Sequence, residues 1–155
     1  MARRPKSSST ARSARPDVSA IVFSLVAVLA LLGIADALYL TVLDLSGQAA
    51  LCGGAASCSQ VLSSKYSHLG PIPVAGLGLL GYFTVFSSAV FAAFGRERAR
   101  LLLNLTVALM FCASVWFVYV QAFILHRYCR YCLLSAAITV LLAGLLLATT
   151  PPARE

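Results

Sequence analysis

Four long apolar stretches alternate with polar connections along the chain. A helix rises about 1.5 Å per residue, so about 20 consecutive apolar residues cross the hydrocarbon core of a bilayer. Four stretches approach or exceed that length: Val18–Leu43, Val74–Phe94, Leu101–Leu125 and Leu133–Thr149. The fourth is short, and we expect its helix to begin before Leu133, in the turn that carries its cysteines. The pattern predicts an all-α membrane protein, built as a four-transmembrane-helix bundle.

The long connection Asp44–Pro73 contains a weaker apolar pattern. Its apolar side chains recur at near-helical spacing within Ser59–Leu69, at Val61, Leu62, Tyr66 and Leu69. This spacing predicts a short amphipathic helix in the outer loop, resting at the membrane interface. The segment Gly70-Pro71-Ile72-Pro73 then ends that helix and leads into the second span.

Composition excludes several classes of protein. Apolar residues make up 60% of the 155 residues and charged residues 11%, whereas soluble domains carry about 25% charged residues. A soluble chain this small could not hide so much apolar surface, so a soluble enzyme is excluded. The net charge of +7 does not indicate a nucleic-acid partner, because the basic residues sit at the ends of apolar stretches.

The distribution of Lys and Arg predicts the topology. Nine of the 12 precede the first stretch, lie between the second and third, or follow the fourth. By the positive-inside rule, both termini and the Gly95–Arg100 turn are cytoplasmic. The long loop and the His126–Cys132 turn then face the periplasmic side of a bacterial inner membrane, or an equivalent lumen. A cleavable signal peptide ending near Ala37 is the alternative, which the apolar run continuing through Val42 disfavours.

The chain therefore divides into three parts. We expect residues 1–17 to form a disordered basic tail in the cytoplasm. Residues 18–149 form the membrane domain, whose loop 44–73 lies outside, and residues 150–155 form a second cytoplasmic tail.

Four of the five cysteines fall on the outer side, where disulfides persist. Cys129-Arg130-Tyr131-Cys132 is a C-x-x-C motif at the mouth of the fourth helix, where backbone N–H groups and the helix dipole stabilise a thiolate. Cys52 and Cys58 are separated by five small residues, so this pair could bridge, open and swing. Cys112 lies inside the third stretch, and we expect it to be buried as a small hydrophobic side chain.

Two dithiol pairs on one side of a membrane indicate an electron relay from a soluble partner to a lipid-soluble acceptor. No flavin or haem motif is visible in the sequence, so a quinone is the natural acceptor. A four-cysteine zinc site is an alternative, but paired zinc ligands usually have about two to four residues between them. We therefore expect no metal. Two inert structural disulfides are a further alternative.

Three motifs carry a resemblance to a known family. They are Cys52-x5-Cys58-Ser59-x-Val61-Leu62-Ser63-Ser64-Lys65-Tyr66, then Gly70-Pro71-Ile72-Pro73 with Gly76-Leu77-x3-Gly81-Tyr82, and finally Cys129-x-x-Cys132 opening the last helix. Together they resemble the vitamin K epoxide reductase family over Val18–Thr149. The combination of cysteine spacings with the Val-Leu-Ser-Ser block is specific, whereas C-x-x-C alone is not.

The resemblance implies a four-helix bundle around a quinone pocket. Cys129 and Cys132 would be the active-site dithiol, with Cys132 nearer the quinone. Cys52 would meet the partner protein, and Cys58 would pass electrons to Cys129. Ser135 would be a pocket hydroxyl. The remaining candidates for the pocket wall, with ordinary helix packing as the alternative, are Leu62, Tyr66 and Leu77.

Two positions depart from the vertebrate members of the family. These have a pocket asparagine near the start of the second span and a tyrosine four residues after the second active-site cysteine, where this chain has Val74 and Ala136. The departures favour a stand-alone bacterial-type homologue that reduces ordinary quinone. The chain ends at Glu155 without a thioredoxin-like domain, so its redox partner would be a separate protein.

The function expected from these features is that of a quinone-dependent thiol-disulfide oxidoreductase. A soluble thioredoxin-like thiol oxidase, DsbA-like, would be the donor, and a menaquinone, ubiquinone or phylloquinone-like molecule the acceptor. The alternatives are a vitamin K epoxide or quinone reductase, and a non-enzymatic membrane protein with structural disulfides. Asp36 is costly within a span, and we expect a solvated or hydrogen-bonded carboxylate near the outer interface.

Overall fold

The computed structural model describes residues 18–46, 61, 64, 66, 68–69 and 72–149. Its four long helices are α1 (Val18–Leu45), α2 (Val74–Ala93), α3 (Glu97–Tyr119) and α4 (Arg130–Thr149). A π-helical segment, Val120–Leu125, continues α3. All four are long and apolar enough to span a bilayer. Over the residues that the structure describes, the protein is an all-α integral membrane protein with four transmembrane helices, as the sequence predicts.

The helix ends differ in detail from the predicted spans. The third helix begins at Glu97, four residues before Leu101. The apolar pattern does not include this first turn because its residues are mostly charged. An acidic residue in a first turn is favourable beside the positive end of the helix dipole. The fourth helix begins at Arg130, directly after Cys129. This confirms the expectation that it starts before Leu133, in the turn that carries the cysteines.

Two short strands occupy the end of the long loop. His68–Leu69 pairs in antiparallel fashion with Ile72–Pro73, so that His68 faces Pro73 and Leu69 faces Ile72. Val61 is helical, whereas Ser64 lies in a bend and Tyr66 in a turn. The predicted helix over Ser59–Leu69 is therefore wrong from Ser64 onward. Prolines favour extended backbone in the residue before them, and strand pairing gives that backbone hydrogen-bond partners.

The bundle packs mainly through α1, which lies along α2 and α4, while α3 packs against α2 and α4. Small residues line the α1 face against α2, where Gly33 meets the ring of Tyr82 so closely that a Cβ would overlap it. Small residues at helix interfaces let membrane helices approach closely. The buried cluster that holds all four helices includes Val26, Ala30, Val85, Leu103, Val107 and Leu142.

A second buried cluster lies at one end of the bundle, formed by Leu40, Val61 and Cys129. We call this the cysteine end. It is formed by the C-terminal end of α1, the N-terminal ends of α2 and α4, and the π-helical segment. Exposed aromatic rings form a row along α3 and the π-helical segment, where Trp116 stacks on Tyr119 and the ring of Tyr119 meets that of Phe123 at a tilt. Exposed rings of this kind suit contact with lipid and its interface.

Candidate functional site

A cavity of about 570 Å³ opens among the helices at the cysteine end. This volume is within the range of sites that bind small organic molecules. Apolar side chains make up most of its wall, and all four helices, the π-helical segment and the loop contribute. The polar or sulfur-bearing side chains on the wall are Asp36, Asp44, Ser64, Tyr66, Tyr82, Met110, Ser114, Gln121, Cys132 and Ser135.

The two cysteines of the C-x-x-C motif lie at the N-terminal end of α4. Cys129 immediately precedes the helix and is fully buried, whereas Cys132 is partly exposed and lies on the cavity wall. The backbone N–H of Cys132 donates to Sγ of Cys129 at 3.3 Å. Cys129 therefore acts as the N-cap of α4, with sulfur in the place of the usual side-chain oxygen. An N–H donor and the helix dipole both stabilise negative charge at this position.

Gln121 holds Cys129 in place from the opposite side. Its Oε1 accepts the backbone N–H of Cys129 at 2.8 Å, and its side chain is almost fully buried. Its backbone oxygen accepts the N–H groups of His126 and Arg127 as the π-helical segment ends. His126 lies in the left-handed region there, with φ 50° and ψ 35°. The widened turn brings a polar side chain of the third span to the active-site motif, and π-turns of this kind are frequent at functional sites.

A hydrogen-bond cluster ties α2 to α4 below the cysteines. The Tyr82 hydroxyl donates to the Ser135 carbonyl oxygen at 2.8 Å, and it lies 2.8 Å from Ser135 Oγ and 3.1 Å from Thr139 Oγ1. Thr139 Oγ1 also donates to the Ser135 carbonyl oxygen at 2.9 Å. Ser135 thus stands on the cavity wall with its hydroxyl oriented by a buried tyrosine.

The structure brings together most of the described candidate residues. Tyr66 and Leu77 lie on the cavity wall with Cys132 and Ser135. Val74 and Ala136, the positions at which this chain departs from vertebrate family members, also lie there. Cys52, Cys58 and Leu62 lie outside the described residues.

Two expectations about individual side chains are wrong. Cys112 is exposed on the outer surface of α3 rather than buried in the bundle, so in a bilayer it faces lipid. Asp36 is 9% exposed and lines the cavity, and its Oδ2 has no hydrogen-bond partner among the described residues. The rotation of a helix about its axis decides which side chains face the bundle and which face lipid. A nearly uniform apolar sequence does not specify that rotation.

Gln121 and Tyr82 gain roles that the sequence pattern does not assign. An amide within an apolar stretch is a usable signal, because a buried polar side chain in a membrane must find a partner. The described residues contain no group of three His, Cys, Asp or Glu side chains placed to hold a metal ion.

This arrangement suits two kinds of chemistry at once. A buried sulfur and a cavity-facing sulfur stand one helical turn apart, so thiol–disulfide exchange and contact with an apolar molecule can occur at the same motif. Comparison with known families agrees with this geometry. A family model described as the vitamin K epoxide reductase family matches residues 24–147. The match includes most of α1 and α4, all of α2 and α3, the loop and the C-x-x-C motif.

Proposed function

The chain belongs to the vitamin K epoxide reductase family, and from that premise we propose that it is a thiol:quinone oxidoreductase that supports disulfide bond formation. Membership makes it a membrane oxidoreductase with a quinone-linked redox role. The proposal adds the direction and the partners. A soluble thioredoxin-like protein, DsbA-like, supplies electrons, and a membrane quinone accepts them.

The observation that carries the proposal is the position of Cys132. Its side chain lies on the wall of an apolar cavity large enough for a quinone ring. Its backbone N–H donates a hydrogen bond to the buried sulfur of Cys129. Cys129 is fully buried and is not on the cavity wall, whereas the sulfur of Cys132 can contact an acceptor in the cavity. The assignment of Cys132 as the cysteine nearer the quinone rests on this difference.

The proposed relay has three exchanges, each carrying two electrons. Reduced thiols of the partner open the Cys52–Cys58 disulfide, and Cys58 then attacks the Cys129–Cys132 disulfide through a mixed disulfide with Cys129. The regenerated Cys129–Cys132 dithiol is oxidised again in the last step, which releases two electrons and two protons. A bound quinone accepts the two electrons and the two protons and leaves as hydroquinone.

The cavity residues fit an ordinary quinone. Its wall is mostly apolar, and the proposed contacts for the quinone are Ser135, Leu62, Tyr66 and Leu77, of which the structure describes all but Leu62. Ser135 offers a hydroxyl, and the ring of Tyr66 offers a flat surface for packing. Val74 and Ala136 offer no polar group, so an epoxide oxygen meets fewer hydrogen-bond donors than in the vertebrate pocket.

The topology completes the proposal. We place both termini in the cytoplasm and the cysteine end on the periplasmic side of a bacterial inner membrane, from the distribution of basic residues. The relay cysteines would then face an oxidising compartment, where a secreted dithiol partner is available.

A reconstituted assay tests the proposed function directly. The purified protein in lipid nanodiscs, given a reduced DsbA-like protein, should reduce a short-chain menaquinone or ubiquinone, followed by absorbance. Cys132→Ser should abolish turnover, and Cys112→Ser, which alters an outward-facing thiol, should retain it. Efficient turnover of vitamin K epoxide with no quinone reduction would instead establish an epoxide reductase. Absence of both activities would favour a structural membrane protein.

A further inference from the structure

Asp36 is a buried carboxyl in the middle of a transmembrane helix. It lies nine residues before Leu45, the last residue of α1, which places it about 13 Å from that end of the helix. Its side chain is 9% exposed, and Oδ2 has no hydrogen-bond partner among the described residues. Leaving such a group unsatisfied inside a membrane protein is costly, and ionisable residues at this depth commonly belong to functional sites.

The carboxyl faces the proposed quinone cavity. Asp36 lines the same cavity as Cys132, Ser135 and Gln121. Tyr82 lines the same cavity, and Cys129 packs in one buried cluster with Leu40, which lies one helical turn after Asp36 on α1. No Lys, Arg or His among the described residues lines the cavity, so no described cation is placed there to neutralise a carboxylate or to protonate a ligand.

The proposed reaction needs a path for protons as well as electrons. Oxidation of a dithiol releases two protons from sulfur, and formation of a hydroquinone consumes two at oxygen. The cavity wall is mostly apolar, so these protons need a polar group that can release one and take up another. Hydroxyl groups such as those of Ser135 and Tyr82 lose a proton much less readily than a carboxyl group does. The other carboxyl on the wall, Asp44, lies one residue before the end of α1 and is less buried than Asp36.

We propose, on the basis of the proposed quinone chemistry, that Asp36 is the acid that carries a proton from the active-site dithiol to the quinone oxygen. The O–H bond of the carboxyl breaks as the O–H bond of the hydroquinone forms. The carboxylate then takes the proton that Cys129 releases as the Cys129–Cys132 disulfide closes. Cys132 gives the second proton to the other quinone oxygen, so each turnover moves two electrons and two protons, and Asp36 returns to its starting state.

Three variants in nanodiscs test this proposal. Asp36→Asn keeps the size and polarity of the side chain but cannot exchange a proton. Asp36→Glu keeps the acid, and Glu97→Gln makes the same acid-to-amide change at an exposed residue of the opposite end. With dithiothreitol as reductant, we expect Asp36→Asn to lower kcat for a short-chain ubiquinone by about 100-fold, with little change in KM. Asp36→Glu should recover much of the rate, and Glu97→Gln should match the parent protein.

Two readouts without turnover separate proton transfer from structure. In infrared difference spectra, adding the oxidised quinone to the parent protein should shift the carbonyl band of a protonated carboxyl, and Asp36→Asn should lack that band. Reduction of the Cys129–Cys132 disulfide by dithiothreitol without quinone, trapped by alkylation, should be unchanged in Asp36→Asn. Equal kcat in Asp36→Asn and the parent, or a carboxyl band that persists in the variant, would overturn the proposed role of Asp36 but not the proposed function. No quinone reduction by the parent protein would overturn the proposed function itself.

Discussion

At the scale of single residues, the position of Cys129 depends on one amide. Gln121 approaches from the π-helical segment and accepts the Cys129 backbone N–H, while the Cys129 sulfur accepts the N–H of Cys132. The Gln121 amide, Cys129 and the Cys132 N–H are thus linked by two successive hydrogen bonds, and the position of each depends on the one before it. A small shift at Gln121 therefore moves the reactive sulfur, and not only the backbone that carries it.

Replacing Gln121 by Leu should destabilise the protein and disturb the motif. The change leaves the buried N–H of Cys129 without its acceptor, at a cost of about 1–3 kcal/mol. We expect a lower melting temperature in detergent and a changed rate of Cys129 alkylation in the reduced protein. Asn104→Leu makes the same amide-to-leucine change at an exposed position of α3 and should alter neither measurement. Unchanged alkylation in Gln121→Leu would show that the amide does not position the sulfur.

At the scale of the elements, the contact of α1 with α2 depends on a glycine. Gly33 lies against the ring of Tyr82, whose hydroxyl reaches across to Ser135 and Thr139 on α4. The ring fills the space where a side chain at residue 33 would lie. One close approach thus sets the spacing of three helices at the level of the cavity.

Two glycine substitutions should separate this contact from helix propensity. Alanine favours a helix over glycine by about 1 kcal/mol, but a Cβ at residue 33 would overlap the Tyr82 ring. We expect Gly33→Ala to lower the melting temperature in detergent and to weaken quinone binding. At Gly144 a Cβ meets nothing within 4 Å, so Gly144→Ala should be neutral or stabilising. Equal stability of the two variants would argue against close packing at Gly33.

The helices are predictable from sequence because each apolar stretch must satisfy its own backbone inside the membrane. Their rotation is less predictable, since lipid-facing and core-facing positions are both apolar. For that reason the predicted positions of Cys112 and Asp36 are wrong, although both residues lie in correctly predicted helices. The Gln121 contact depends on a π-turn that no periodicity signals. The C-x-x-C motif was predictable because a helix start is local, and Cys129 immediately precedes α4.

At the scale of the whole molecule, the proposed topology puts all four relay cysteines on one side of the membrane. An impermeant thiol reagent applied to reduced spheroplasts should therefore label Cys52 in a variant that lacks the other cysteines. A variant that retains only Cys112 should stay unlabelled, because that thiol faces lipid within a span. Labelling of Cys52 only after the inner membrane is permeabilised would reverse the proposed orientation.

The order of the relay can be tested by changing the reductant. Cys132→Ala removes the sulfur on the cavity wall, so quinone reduction should vanish with either dithiothreitol or the protein partner. Cys52→Ala removes only the proposed contact with the partner. A small dithiol can still reach the motif at the mouth of α4, so this variant should keep dithiothreitol-driven turnover and lose partner-driven turnover.

Cys112→Ala provides the matched control for these cysteine variants. It removes a thiol of the same size from the outer surface of α3 and should keep both activities. Equal loss of dithiothreitol-driven turnover in Cys52→Ala and Cys132→Ala would contradict the proposed order, because a small reductant would then need the loop pair as well. Activity of Cys52→Ala with dithiothreitol alone would assign the loop pair to the partner and the C-x-x-C pair to the quinone, as the cavity beside Cys132 favours.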